Sequence, residues 1–173
     1  MTSVVLSLGA NLGDRRSALA RAVAALGPDK TSEVYETPPW GDDDQPHYYN
    51  IAMTAHDPDA TVFDWLRRAE DCQVAAGRVR DPQRRYGPRV LDVDIIAAHD
   101  DDGEPIRCDT ETLTLPHPRA HQRAFVLVPW LSIDPGAALP GRGRVRDLLR
   151  DPGLAADART LRRVGGLSST DHG

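Results

Sequence analysis

Apolar and polar positions along the first half of the chain follow the periods of β-strands and α-helices. A short β-branched apolar run predicts a buried strand at 3–8, and weaker alternation predicts strands at 31–37 and 48–56. Apolar residues at the helical period predict a first helix that Asp14 or a neighbour caps and that ends near Leu26. The same period predicts a second helix over 59–76, followed by Gly77 as its C′ residue.

A fourth strand, at 90–96, completes the order β-α-β-β-α-β. This is the ferredoxin-like order, and it predicts an α+β fold with an antiparallel sheet. Both helices should pack on one face of that sheet, which would leave the other face free for a ligand.

The second half of the chain is less periodic. It predicts an acidic turn at 100–105, a short strand at 106–108, an extended stretch at 113–118, an apolar packing segment at 122–131 and a short helix at 144–150. We expect a single domain over 1–150 and a small C-terminal extension over 151–173, with about the last ten residues disordered.

The stretch 77–96 carries the strongest chemical signal. Five arginines lie in a loop punctuated by glycine and proline, and the apolar strand after it carries Asp92 and Asp94. Residues i and i+2 of a strand share a face, so the two carboxylates point the same way, about 6.5 Å apart at Cα. Each feature alone is more often a solvated surface, but together they favour Mg²⁺-assisted chemistry on a polyphosphate.

The segment 38–46 is a second candidate for function. It has two prolines at its start and three acidic residues in its middle, so it cannot form regular structure. A loop of this length within a small domain is more often functional than a simple connection.

Composition narrows the classes of function. The chain has 173 residues, 40% hydrophobic and 27% charged, with a formal net charge of −5. A nucleic-acid binder is usually basic, so the arginines form a local patch that favours a small anionic ligand. The two cysteines, Cys72 and Cys108, are not in a metal-binding spacing, and we expect reduced thiols in a cytoplasmic chain. Neither a signal peptide nor a membrane span is predicted.

Several blocks of the sequence, in order, resemble one family. These blocks are 7–14, 35–41, 45–50, 77–80, 85–95, 115–118 and 123–125. Together they are similar to the signatures of the 6-hydroxymethyl-7,8-dihydropterin pyrophosphokinases of the folate pathway, over roughly residues 3–150. The ferredoxin-like fold of that family agrees with the order of elements predicted above.

The resemblance implies a reaction and its ligands. The pyrophosphoryl group of ATP would move to the hydroxymethyl oxygen of the dihydropterin, which releases AMP. Two Mg²⁺ ions would be held by Asp92 and Asp94, and positioning and charge stabilisation would do most of the catalysis. The implied partners are these two small molecules, with no nucleic acid and no membrane, and the implied state is a monomer.

The resemblance also implies roles for individual residues. The catalytic set would be Arg78, Arg80, Arg89, Asp92 and Asp94. The pterin site would comprise Thr37, Pro39, Tyr48, Asn50 and Phe125, with the two aromatic rings sandwiching the pterin. The ATP site would comprise Arg80, Arg89, Ile95, Thr114, His117 and Arg123. Taken singly, Phe125 and Tyr48 could equally be core residues, and His117 a surface histidine.

Some positions depart from the family pattern. Gln73 stands where the family usually has Glu, and Ala10 where it usually has Ser. Tyr86, Thr112 and Pro118 also differ, and a loop one residue longer leaves open whether Arg84 or Arg85 faces ATP. Two other functions stay open on the residues alone: another nucleotide-dependent transferase, and a ferredoxin-like RNA-binding module, which the acidic charge disfavours.

Overall fold

The computed structural model describes residues 1–38, 44–77 and 90–168, and in these ranges the chain builds one main sheet. The sheet has six strands, β1 (Thr2–Ala10), β2 (Lys30–Thr31), β3 (Tyr35–Thr37), β4 (Tyr48–Asp57), β5 (Asp92–His99) and β10 (Arg162–Arg163). Two short ladders pair β6 (Cys108–Asp109) with β7 (Thr114–Leu115), and β8 (Ala138–Leu139) with β9 (Gly143–Arg144). The helices are α1 (Arg15–Leu26), α2 (Val62–Ala75), α3 (Ala124–Ile133), α4 (Val145–Leu148) and α5 (Pro152–Arg159), with a 3₁₀ turn at Ala120–Gln122.

The strand order of the main sheet is β10-β3-β4-β1-β5, with β2 also paired to β4, and every pair is antiparallel. The predicted α+β fold with an antiparallel sheet is therefore confirmed. The stretch 31–37 forms two short strands instead of one. The break follows from Ser32, whose hydroxyl accepts a hydrogen bond from the N–H of Ala52 on β4, while the Ser32 N–H bonds back to the Ala52 carbonyl.

The helix ends follow the predicted caps. The side chain of Asp14 accepts the N–H of Ser17 at the start of α1, and Gly27 ends that helix in the left-handed conformation. Helix α2 begins at Val62, later than predicted, because Thr61 and Asp64 form a reciprocal capping box that satisfies both backbone donors.

Two apolar layers cover the sheet. Helices α1 and α2 pack on one face, against the inward side chains of β1, β4 and β5. Helix α3 packs on the other face, against a patch of β1, β4 and β5 that includes Val5, Ala52 and Ile96. The prediction that this second face is free is therefore wrong for its central part. The apolar segment that should pack does so here, and among the described residues the end of the face near Asn50 and Asp92 lies outside this apolar layer.

The segment after Asp151 is built into the sheet. Strand β10 pairs with β3, and the backbone of Val34 exchanges hydrogen bonds with Val164 and Gly165. Arg16, which is only 6% exposed, donates to the carbonyl oxygens of Val164 and Gly166. Val164, Gly165 and Gly166 stand at the start of the stretch that we expected to be disordered, and they are hydrogen-bonded to Val34 and to Arg16. Residues 169–173 lie outside the described part of the chain.

Two further features bear on the sequence analysis. Cys72 is buried, Cys108 is half-buried, and both are free thiols. No helix within the described ranges is long and apolar enough to cross a membrane.

Candidate active site

The two aspartates open strand β5. Asp92 and Asp94 are half-buried, whereas Val93 and Ile95 between and after them are buried in the α1–α2 layer. The alternation therefore places both carboxylates on the opposite face, as the sequence predicts. Across β1, Asp92 is paired with Gly9 and Asp94 with Ser7.

Within the described ranges, β5 is the last strand in the sheet order, and the N–H of Val93 on its outer edge has no strand partner there. The side-chain oxygen of Gln73, on α2, accepts the N–H of Val93 at 2.9 Å. In the sequence, Gln73 stands out only as a departure from the family pattern. In the fold it supports the strand between the two carboxylates.

Strands β3 and β4 carry the candidate pterin residues. Thr37 pairs with Tyr48, and Asn50 lies two residues further along β4. Asn50 is 4% exposed, and its Nδ2 donates to the hydroxyl of Thr37 at 2.7 Å. Tyr48 is half-buried beside them. The fold thus brings together three of the five residues assigned to the pterin, on the same face as the aspartates.

The register joins the two groups of residues. Gly9 on the central strand β1 pairs with Asn50 on one side and with Asp92 on the other. With a strand spacing of about 4.8 Å, Asn50 and Asp92 lie about 10 Å apart at Cα. An amide that can read a heterocycle and a carboxylate that can hold a metal therefore stand at the same level of the sheet.

His117 reaches the site from the chain that follows β7. Its backbone N–H bonds to the carbonyl of Ile96, and its Nδ1 accepts the N–H of Arg119 at 3.1 Å. Burial lowers the pKa of His117 below its usual value. The negative charge of Asp94 raises the pKa and the positive charge of Arg123 lowers it, but burial is the largest effect. The lowered pKa favours the neutral imidazole. Because Nδ1 accepts a hydrogen bond, Nε2 is the nitrogen placed to donate one to an anionic oxygen.

Arg123 and Phe125 stand at the start of α3, which contacts β3 and β4. Arg123 is the N-cap residue, and its guanidinium carbon lies 5.6 Å from the centroid of the Phe125 ring. Phe125 is half-buried and packs against the apolar layer under α3. An aromatic ring and a cation are thus delivered to the face that carries Asn50 and the aspartates.

The other predicted ATP residues are placed differently. Thr114 is half-buried on β7, directly before Leu115, whose bond to Pro116 is cis. The Ile95 side chain is 5% exposed and lies in the α1–α2 core, on the face opposite to the aspartates. Adjacent residues of a strand point to opposite faces, so the Ile95 side chain points away from the face that carries Asp94. Any contact of Ile95 with a nucleotide must therefore come from its main chain.

Four predicted site residues lie outside the described part of the chain: Pro39, Arg78, Arg80 and Arg89. Arg84, Arg85 and Tyr86 lie outside it as well. Their roles stay predictions from the sequence.

Two residues of the site region have no role in the sequence analysis. Gly9 lies between Asn50 and Asp92, and Asn11 donates from its side chain to Gln45 and to the carbonyl of Pro46, just before Tyr48. Both belong to the block 7–14. The sequence pattern there predicts a strand and a turn, and it gives no indication of a functional role for either residue.

The donor set fits Mg²⁺. Asp92 and Asp94 offer hard carboxylate oxygens on one face of a rigid strand, and Mg²⁺ usually takes one or two carboxylates plus substrate phosphates and water. Within the described ranges, no three His, Cys, Asp or Glu side chains gather into a complete metal site. The two carboxylates therefore suit a metal that arrives with its nucleotide.

Comparison with known proteins agrees with this geometry. Residues 5–135 match the model of the family described as 7,8-dihydro-6-hydroxymethylpterin-pyrophosphokinase (HPPK). A 2-amino-4-hydroxy-6-hydroxymethyldihydropteridine pyrophosphokinase of Mycobacterium tuberculosis is 44% identical over 156 residues, covering 87% of this chain and 82% of the relative. The corresponding protein of Mycobacterium leprae is 44% identical over 95% of this chain and 87% of its own, and that of Bacillus subtilis is 36% identical over 74% and 75%.

Solved structures give the same result for the fold. An HPPK-DHPS in complex with substrates superposes with a TM-score of 0.64 at 9% identity, over 94% of this chain and 46% of that one. The wild-type HPPK-DHPS of Plasmodium falciparum superposes with a TM-score of 0.61 at 12% identity, over 94% and 47%. This chain spans about half the length of those solved chains.

The fold and the matched sequence define the class: this is an α+β enzyme of the pyrophosphokinase type. The chain belongs to the 7,8-dihydro-6-hydroxymethylpterin-pyrophosphokinase family, whose activity is part of folate biosynthesis.

Proposed function

We propose that the enzyme transfers the pyrophosphoryl group of ATP to 6-hydroxymethyl-7,8-dihydropterin at the site described above. The hydroxymethyl oxygen attacks the β-phosphorus and forms a new O–P bond. The bond from the β-phosphorus to the α,β-bridging oxygen breaks. AMP leaves with the bridging oxygen and its electron pair, and the hydroxyl proton passes to solvent. The products are AMP and the pterin diphosphate.

The observation that carries the proposal is the alignment of Asn50, Gly9 and Asp92 across three adjacent strands. It places the Cα atom of Asn50, whose buried amide is fixed by Thr37, about 10 Å from the Cα atom of Asp92. The flat ring of a pterin, held at one edge by Asn50, can lie over β1 with its hydroxymethyl arm toward β5. The proposed contacts with Tyr48 and Phe125 would then cover the two faces of the ring.

The charged residues divide into two groups by role. Asp92 and Asp94 would hold Mg²⁺, in the two-ion arrangement that the family resemblance implies. When bound, the metal neutralises the phosphate oxygens and draws off the charge that develops on them. His117 and Arg123 would donate hydrogen bonds to phosphate oxygens that the metal does not contact. Further positive charge at the phosphates would come from Arg78, Arg80 and Arg89. Thr114 and the main chain of Ile95 would contact the nucleoside.

The proposal extends to the setting in which the enzyme works. We place it in the cytoplasm as a monomer, with ATP and the dihydropterin as its small-molecule partners and no nucleic acid or membrane. The free thiols of Cys72 and Cys108 are consistent with a reducing compartment.

The test is to identify the nucleotide product. Protein, Mg²⁺, ATP and 6-hydroxymethyl-7,8-dihydropterin are mixed, and ³¹P NMR follows the phosphates. We expect equal amounts of AMP and the pterin diphosphate, and no product when Mg²⁺ is chelated. ADP in place of AMP would mean that a single phosphoryl group is transferred and would overturn the proposed reaction.

A further inference from the structure

The central strand passes beneath the candidate pterin site at Gly9, a buried residue that faces neither solvent nor the α1–α2 core. A Cβ atom built on Gly9 would lie 2.5 Å from the side-chain oxygen of Asn50 and 3.4 Å from a ring carbon of Tyr48. Real Cβ atoms essentially never approach a heavy atom as closely as the first distance. Any side chain at this position would therefore have to displace the Asn50 amide.

The Asn50 amide has no easy direction in which to move. Its nitrogen donates to the Thr37 hydroxyl at 2.7 Å, on the β3 side, and its oxygen lies over Gly9, on the β1 side. The residue is 4% exposed, so the amide is enclosed as well as bonded. The amide spans the sheet from β3 to β1. Its nitrogen is hydrogen-bonded to Thr37, and its oxygen occupies the space that a side chain at position 9 would fill.

Backbone conformation does not explain the glycine. Gly9 lies within a regular strand, paired on both sides, and its φ is not in the left-handed region. Glycine within a strand weakens it and often marks a place where another group approaches closely. Here that group is the Asn50 side chain, so the requirement at this position is space above the strand.

We propose that Gly9 is a positioning residue for the pterin. Because Gly9 has no side chain, the Asn50 amide can adopt the orientation in which it hydrogen-bonds the edge of the pterin ring. This inference rests on the proposed role of Asn50 as the group that binds the edge of the pterin. It gives a function to the block 7–14, which the reaction itself leaves without one.

The experiment compares Gly9→Ala, Asn50→Ala and the double variant by calorimetry. Two ligands are titrated separately: 6-hydroxymethyl-7,8-dihydropterin, with and without a saturating ATP analogue, and the analogue itself, α,β-methylene ATP with Mg²⁺. We expect Gly9→Ala to raise the pterin Kd by about fivefold to a hundredfold, as for a lost buried hydrogen bond. The Kd of the ATP analogue should change by less than about twofold. Gly166→Ala is the matched control, since a Cβ there meets no atom within 4 Å.

The double variant shows whether Gly9 acts through Asn50. Once Asn50 is Ala, the clash is gone, so adding Gly9→Ala should change the pterin Kd by less than about twofold. An equal effect of Gly9→Ala in both backgrounds would overturn the inference, as would parallel losses of pterin and ATP affinity. If Asn50→Ala binds pterin normally, the proposed pterin site is wrong, and the inference fails with it. If only Gly9→Ala is without effect, the site stands and the inference alone fails.

Thermal unfolding covers the case in which Gly9→Ala does not fold. The steric account then predicts that adding Asn50→Ala restores a cooperative transition close to that of the Asn50→Ala protein. A double variant as unstable as Gly9→Ala alone would show that Gly9 serves the strand and not the amide.

Discussion

The side chain of Gln73 accepts a hydrogen bond from the backbone N–H of Val93, which stands between the two candidate metal ligands. Gln73 is 8% exposed and Val93 6%, so water cannot replace the bond easily. An amide on α2 thus takes the place of a neighbouring strand at the open edge of the sheet, and it fixes β5 where the carboxylates project.

Gln73→Leu removes the acceptor and leaves the Val93 N–H buried without a partner. We expect the free energy of unfolding to fall by about 1–3 kcal/mol, the usual penalty for an unsatisfied buried group. The KM for Mg-ATP should rise as well, because β5 loses its support beside Asp92 and Asp94. Urea unfolding and steady-state kinetics measure the two effects.

Two comparisons isolate the role of the Gln73 oxygen. Gln73→Glu keeps an acceptor and restores the residue usual in the family, so it should fold and turn over much more like the wild type than Gln73→Leu. Val74→Ala, at the exposed neighbouring position, should change neither quantity. If Gln73→Leu matched the wild type in both measurements, the support of β5 would have to come from elsewhere.

Asp94→Asn should abolish turnover while leaving the fold intact. The substitution keeps the shape of the side chain but removes the charge that would hold Mg²⁺, and the residue is half-buried at the end of the sheet. We expect AMP release to fall by about a thousandfold or more, in line with the loss of electrostatic stabilisation at a transfer site. Asp109→Asn, on the exposed β6 strand, is the control. A variant with near-normal rate would exclude Asp94 as a metal ligand.

Thr37→Val should weaken pterin binding without affecting the nucleotide. The change removes the hydroxyl that accepts the Asn50 amide and leaves a side chain of nearly the same volume. We expect a loss of about 1–3 kcal/mol in pterin affinity, measured by calorimetry. Thr37→Ser retains the hydroxyl and should bind almost normally. Equal losses in the two variants would point to packing of the methyl group instead of the hydrogen bond.

Arg16→Met should destabilise the enzyme through its C-terminal segment. Arg16 bonds to the carbonyl oxygens of Val164 and Gly166, and this segment also supplies β10, the strand that covers β3. We expect about 1–3 kcal/mol lower stability, together with faster amide hydrogen exchange at Val34. Arg21→Met, an exposed arginine of the same helix, is the matched control. Unchanged exchange at Val34 would show that the segment is held by other contacts.

The capping box of α2 predicts a dependence on pH. Asp64 accepts the N–H of Thr61, and this backbone bond, more than any other contact, lowers the pKa of its carboxyl group below 3.8. A lowered pKa in the folded state adds stability above pH 3.8, which is lost as the pH falls through the folded value. The melting temperature of Asp64→Asn should therefore lie below that of the wild type at pH 6, and the difference should shrink below pH 3.8. A difference in melting temperature that did not change between pH 6 and pH 3 would contradict this account.

Local periodicity was enough to predict much of the fold and the acidic half of the site. The shared face of Asp92 and Asp94 follows from a period of two residues, which needs no tertiary information. The N-cap at Asp14 and the left-handed C′ glycine after α2, Gly77, follow from local backbone chemistry in the same way.

Features that depend on pairing distant segments could not be predicted. The approach of Asn50 to Gly9 depends on the register of β4 against β1, which the hydrophobic pattern alone does not specify to the residue. Strand β10 consists of two arginines and has no apolar period, so its pairing with β3 leaves no trace in the pattern. The covering of the second face by α3 was missed because an apolar run shows that a segment is buried, but not against which surface.

The alignment of Asn50, Gly9 and Asp92 has a consequence for substrate length. The Cα atoms of Asn50 and Asp92 are separated by two strand spacings, a distance set by the backbone that substitution of either side chain leaves unchanged. On the proposed assignment, the arm between the pterin ring and its nucleophilic oxygen must therefore have one fixed reach. A pterin with a two-carbon arm would make the same ring contacts, but its hydroxyl would lie beyond the β-phosphorus. The fixed spacing of the strands would therefore favour the hydroxymethyl pterin as substrate.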